Sequence, residues 1–100
     1  MDNALHLEAN SQIAWHPEQL ATEVDGEVIV MGLVQGKYVG FDEIASIVWR
    51  RLERKQSLSE LCDGLVRDFE GDREIIRQDI VALLRRLDEL GLITVETGRD

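Results

Sequence analysis

The stretch 36–52, GKYVGFDEIASIVWRRL, changes period in its middle, and that change limits what the chain can fold into. Tyr38, Val39 and Phe41 form a short strand-like run, and from Asp42 onward Ile44, Ile47, Val48 and Leu52 recur three or four residues apart, the period of an amphipathic helix. Asp42 stands at the switch. A short carboxylate there accepts the unpaired amide hydrogens of a first helical turn, and its charge suits the positive end of the helix dipole. A strand is therefore expected to run end-on into a helix.

Upstream, the residues read as a meander. Asp25-Gly26 separates LATEV from EVIVMGL and is a strong hairpin signal, because a type I′ turn requires positive φ at both central positions. Gly36 serves a second turn in the same way. In the middle strand Val28, Val30 and Gly32 share one face while Ile29, Met31 and Leu33 share the other, so both faces are apolar. Such a strand is either covered on both sides or offers its second face to something outside the monomer. In the last strand of the meander Lys37, Val39 and Phe41 alternate with Tyr38 and Gly40, and Gly40 leaves a gap where another backbone can approach. Residues 1–11 show neither period and are expected to form a loose arm. Ile13, Ala14 and Trp15 make a short extended segment before Pro17. His6 and His16 have no second ligand at metal spacing and read as surface histidines.

Downstream, three helices are expected. The first, from Glu43 to about Glu53, carries Trp49 on its apolar side and closes in the basic run Arg50, Arg51, Arg54 and Lys55, which complements the helix dipole. Ser57 with Glu60 forms an S-x-x-E capping box for the second, whose stripe is Leu58, Leu61, Leu65, Val66 and Phe69 and which Gly71 ends. Asp72 opens the third, with Ile76, Ile80, Leu83, Leu84, Leu87 and Leu90 on its apolar face and Ile75, Asp79, Ala82 and Arg86 along one side of it; Gly91 stops it. The arc is wide enough for one edge to line a groove. Leu92 to Glu96 closes the chain as a strand, leaving a frayed tail.

The expected fold class is α+β: a winged helix-turn-helix with an N-terminal three-stranded antiparallel sheet packed on three helices. The expected layout is an arm over 1–19, partly extended, one domain over 20–96 and a tail over 97–100. The apolar fraction of 44% and charged fraction of 31% are those of an ordinary globular domain. No apolar run is long enough to span a bilayer and the acidic N-terminus is unlike a secretory signal, so the expectation is a cytoplasmic protein with no membrane partner. Cys62 is the single cysteine, lies on an apolar helical stripe and is assigned to the core.

A winged-helix outline raises DNA binding, but the charge opposes it. The net charge is −9, the first fifty residues hold only Lys37 and Arg50 against eight acids, and the candidate recognition helix is itself slightly acidic. A phosphate backbone is repelled by such a field, and the counterion-release term that drives DNA affinity is missing. A winged-helix DNA-binding regulator therefore ranks second. Catalysis ranks lower, because no phosphate loop, nucleophile–base pattern or metal-ligand spacing is present.

The combination Gly36-Lys37-Tyr38-x-Gly40, Phe41-Asp42-Glu43, Ile47 and Trp49, Asp79-Ile80-x-x-Leu83-Leu84 and a final Gly91-Leu92-Ile93 resembles the small PqqD-like proteins over about residues 20–96. These are recognition elements of pathways that make modified peptides on the ribosome, and as a short separate chain this one resembles the free-standing elements of lasso-peptide systems. Phe41, where leucine is common, alters packing volume only. The resemblance implies a non-enzymatic protein without cofactor or metal. Such a protein binds a precursor's leader peptide by strand addition between the edge strand and the third helix, and presents it to a leader peptidase and a cyclase. A chaperone role in pyrroloquinoline quinone assembly or another such pathway is the variant reading. The implied peptide-binding residues are Lys37, Tyr38, Val39, Gly40, Phe41, Ile76, Asp79, Ile80 and Leu83, with Asp79 receiving a basic or polar group. A monomer or weak dimer is expected, since an exposed strand edge can also pair with its own copy.

Overall fold

A computed structural model describes residues 7–97. In chain order the elements are β1 (Gln12–Trp15), β2 (Gln19–Val24), β3 (Glu27–Gly32), β4 (Lys37–Gly40), α1 (Glu43–Arg51), β5 (Gln56–Ser57), α2 (Leu58–Phe69), α3 (Arg73–Glu89) and β6 (Ile93–Glu96). The meander β2-β3-β4 is antiparallel throughout, and β4 is one of its edges. Asp25 (φ 53) and Gly26 (φ 84) both take the left-handed conformation that the first hairpin requires, and Gly36 (φ 70) does so in the second.

A second sheet, in the order β5-β1-β6, was not legible in the sequence. Its middle strand is the segment expected to be a short extended part of an arm. Ile13 on β1 is fully buried, and Trp15 stacks on Trp49 with ring centroids 5.1 Å apart. The Trp15 indole N–H also donates to the Trp49 carbonyl at 2.8 Å, satisfying an acceptor in the last turn of α1. Residues 7–11 are likewise not loose: Leu7 packs on the core, and the Ala9 and Ser11 carbonyls accept from the Ser59 and Leu58 amides. The rest of the arm, with His6, and the tail residues 98–100 lie outside the described residues. His16 has a local role, its Nδ1 accepting the Glu18 amide hydrogen across the turn at Pro17.

The caps follow the sequence closely. Asp42 accepts from the Ala45 amide at 2.8 Å, Ser57 and Glu60 form the reciprocal capping box, and Asp72 accepts from the Glu74 and Ile75 amides. α1 stops two residues earlier than expected, at Arg51. α2 corrects another expectation, because the left-handed residue at its end is Glu70 (φ 52) and not Gly71. Gly71 instead allows a close approach, since a Cβ there would lie 2.8 Å from the Ile76 Cδ1.

One core joins both sheets to the helices. Val28 and Val30 on the inner face of β3 join Phe41, Trp49, Leu84, Leu87, Leu92 and Ile13 within it. Cys62 belongs to this core, and burial pushes its thiol pKa up. The other face of the meander is left open: Leu20 and Tyr38, which flank Met31 on either side, are largely exposed.

Candidate functional site

The position of β4 relative to α3 is fixed at both ends. At one end the Gln35 side chain, in the β3–β4 loop, donates to the Glu89 carbonyl at 3.1 Å and ties that loop to the end of α3. At the other end a buried serine is spliced into the sheet. The Phe41 amide donates to the Val28 carbonyl at 2.9 Å, but the Val28 amide donates to the Ser46 hydroxyl at 3.0 Å, and that hydroxyl faces the Phe41 carbonyl at 3.4 Å. Ser46, on the first turns of α1, thus completes the last rung of the β3–β4 ladder and fixes where strand passes into helix. The sequence signal for this was slight: a small polar residue on the inner side of an otherwise apolar helix stripe.

The alternation of an antiparallel ladder assigns the remaining backbone groups. Since Phe41 is bonded to Val28, Val39 and Lys37 face β3, while the N–H and C=O groups of Tyr38 and Gly40 point to the open edge. No atom lies within 4 Å of where a Gly40 Cβ would stand. Because β4 is an edge strand, no other strand of the described residues pairs with those outward groups.

Beside this edge runs a groove made of three adjoining concavities. The first, about 130 Å³, lies between the end of β4 and α3 and includes Val39, Gly40, Phe41, Asp42, Leu83 and Arg86. The second, about 160 Å³, shares Asp42 and Leu83 with it and continues over the start of α1 to Asp79 and Ile80. The third, about 250 Å³, opens between α1, α3 and the end of α2; Ile44, Ile47, Leu65, Phe69 and Ile76 make it almost wholly apolar. Two of these residues, Ile44 and Phe69, are more than half exposed although large and apolar. Arg51 braces Phe69, its guanidinium 6.0 Å from the ring centroid while it pairs with Asp68 at 2.5 Å.

Of the residues implied by resemblance, Val39, Gly40, Phe41, Ile76, Asp79, Ile80 and Leu83 all line this groove. Phe41 and Ile80 are buried and form its floor. The side chains of Lys37 and Tyr38 do not line it. Tyr38 pairs with Met31 and stands on the outer face of the sheet, 74% exposed, so only its backbone belongs to the open edge. Sequence reasoning missed the contribution of α1 and α2 through Ile44, Ile47, Leu65 and Phe69. Ile44 was the available signal, an isoleucine in the first turn of a helix whose buried side is already supplied by Val48, Trp49 and Leu52. The edge of α3 that faces the groove carries Ile76, Asp79, Ile80, Leu83 and Arg86.

Three helices leading into a short strand, preceded by a meander whose β4 edge lies beside an apolar groove, define a small winged-helix domain shaped to accommodate an extended chain. A family model described as Coenzyme PQQ synthesis protein D (PqqD) matches residues 27–93, and the protein belongs to that family. Among solved structures, TbiB1 in complex with the TbiA(beta) leader peptide is similar, with a TM-score of 0.74 and 26% identity over 87% of this chain and 99% of its own. A lasso peptide synthetase B1 complexed with the leader peptide shares the fold, with a TM-score of 0.71 and 23% identity over 82% of this chain and 96% of its own. No functionally curated protein matches the chain.

Proposed function

We propose that this protein captures the leader of a ribosomally made precursor peptide as an added strand on β4 and holds it, unmodified, for other enzymes. The observation that carries this reading is the open β4 edge, with the outward-facing Tyr38 and Gly40 backbones, lying directly beside a groove that continues to α3. Strand addition supplies sequence-independent hydrogen bonds, and the groove supplies side-chain selection. The similarity to TbiB1, solved with a leader peptide, supports the ligand class. The partners that fit are a leader peptidase and a cyclase of a lasso-peptide pathway in the cytoplasm, with the protein itself contributing no catalytic group. Among the described residues no helix is long and apolar enough to cross a membrane.

The test is a selection from an unbiased displayed library of fifteen-residue peptides, followed by amide-shift mapping with a synthesised winner. The expected result is micromolar or tighter binding, with shifts at Tyr38, Gly40 and the 76–86 edge of α3, and recovery of the peptide intact. A selection that yields no binder, or winners that leave 38–41 unshifted, overturns the reading. A pool of random DNA duplexes run beside it is expected to yield nothing at physiological salt.

A further inference from the structure

We propose that Arg86 is a specificity-determining residue that selects an acidic side chain in the bound peptide, four positions from the large apolar side chain that fills the far end of the groove. This rests on the strand-addition reading above and adds to it a charge order along the ligand.

The chain carries a net charge of −9, yet an arginine, Arg86, lines the concavity beside β4. Arg86 is the one basic side chain lining any of the three concavities, and among the described residues no hydrogen bond or ion pair engages it. Arg50 is committed to Glu23 and the Gly26 carbonyl, Arg51 to Asp68, and Arg73 to Asp63, while Arg54, Arg77 and Arg85 line none of the three concavities. The carboxylate that shares its concavity, Asp42, is engaged with the Ala45 amide at the start of α1. Arg86 therefore meets the ligand with its five donors uncommitted, and a carboxylate is the group that a planar fork recognises best.

The opposite charge lies further along the same helix edge. Asp79 lines the second and third concavities and is likewise unpaired among the described residues. The edge of α3 that faces the groove therefore has an order: Arg86 beside β4, Asp79 in the middle, apolar side chains at the end. Arg86 and Ile76 are ten residues apart on α3, or about 15 Å along its axis. An extended chain covers that distance in about four to five residues at roughly 3.3 Å each, and side chains on one face recur every second residue. The two ligand side chains on the groove face are therefore four positions apart.

The experiment is the library selection repeated with Arg86→Glu, followed by affinity measurement of one winning peptide and its acid-to-lysine counterpart on both proteins. Wild type is expected to enrich Asp or Glu at one position, four from an enriched large apolar residue, and to lose roughly tenfold or more in affinity for the lysine peptide. Arg86→Glu is expected to reverse the preference at that position and leave the apolar position alone. A merely structural arginine would change affinity for both peptides equally. Winners without an acid preference, an acid preference that survives Arg86→Glu, or one at another spacing overturns the proposal. Such winners, if they still shift the Tyr38 and Gly40 amides, leave strand addition itself standing.

Discussion

Two neighbouring residues of β4 are expected to respond in opposite ways to the same substitution. The Gly40 N–H points away from β3, whereas the Val39 N–H is part of the ladder with Val30. In Gly40→Pro the ring replaces an outward hydrogen, no atom lies within 4 Å of the added Cβ, and the residue before it is already extended. The unfolded chain loses freedom, which is worth about 0.4–1 kcal/mol to the fold and offsets part of any cost of adjusting φ. The melting temperature is therefore expected to stay within a few degrees of wild type. Peptide binding should weaken by roughly 0.5–1.5 kcal/mol for the lost backbone hydrogen bond, about threefold to tenfold in Kd, and by more if the ring holds the added strand away. In Val39→Pro a ladder bond is lost beside the core and the orphaned Val30 carbonyl costs about 1–3 kcal/mol, enough to lower the melting temperature of a domain of this size by roughly 5–20 °C. Calorimetry and fluorescence anisotropy with a selected peptide measure both effects. Equal destabilisation by the two prolines would refute the assignment of the edge, and an unchanged Kd in a well-folded Gly40→Pro protein would refute strand addition at β4.

Ser46→Ala should cost about 1–3 kcal/mol in chemical denaturation, because it strands the buried Val28 amide and deprives the Phe41 carbonyl of its partner; a loss below about 0.5 kcal/mol would show that the hydroxyl does not bridge the ladder. Glu23 lies below its ordinary pKa of 4.5 because Arg50 donates to it and attracts it, so its small contribution is present at neutral pH and is lost as pH falls through the carboxylate range. The melting-temperature gap between wild type and Arg50→Gln should therefore narrow below about pH 4.5, and a gap that widens on acidification contradicts the pairing. Cys62 should react with a thiol reagent at neutral pH only as fast as the protein opens, since it is buried and its thiol pKa is raised; immediate stoichiometric labelling of native protein would place it outside the core.

The parts of the fold that were legible are those set by local chemistry. Asp42, Ser57 and Asp72 mark helix starts because a side-chain oxygen beside unpaired amides is a short-range event, and Asp25-Gly26 marks a hairpin because only a few residues accept two positive φ values in succession. The second sheet depends on pairings distant in sequence. Gln12 meets both Ser57 and Glu96, and no period within four residues of β1 or two of β5 announces such partners. Glu70 shows the same limit on a smaller scale. A glycine stood next to the helix end, yet the positive φ falls on Glu70, and Gly71 is instead the residue that the Ile76 side chain closely approaches.

The site was legible along α3 and β4 but not in depth. Periodicity places Ile76, Ile80 and Leu83 on one face of a helix, and only the packing of α1 and α2 decides how much of that face is left uncovered. One contact that sets where α1 begins is the spliced Ser46. It draws the start of α1 against the end of β4, which leaves Ile44 above the groove and lets Phe69 and Ile76 close the far end without filling it. The apolar pocket and the free strand edge are therefore two consequences of one junction, the passage from β4 into α1 at Phe41 and Asp42. A substitution that loosens this junction should weaken peptide binding more than its distance from the edge amides suggests. Ser46→Ala, if it remains folded, is accordingly expected to lower affinity as well as stability. Reduced stability with unchanged Kd would mean that the groove holds its shape independently of the ladder's last rung.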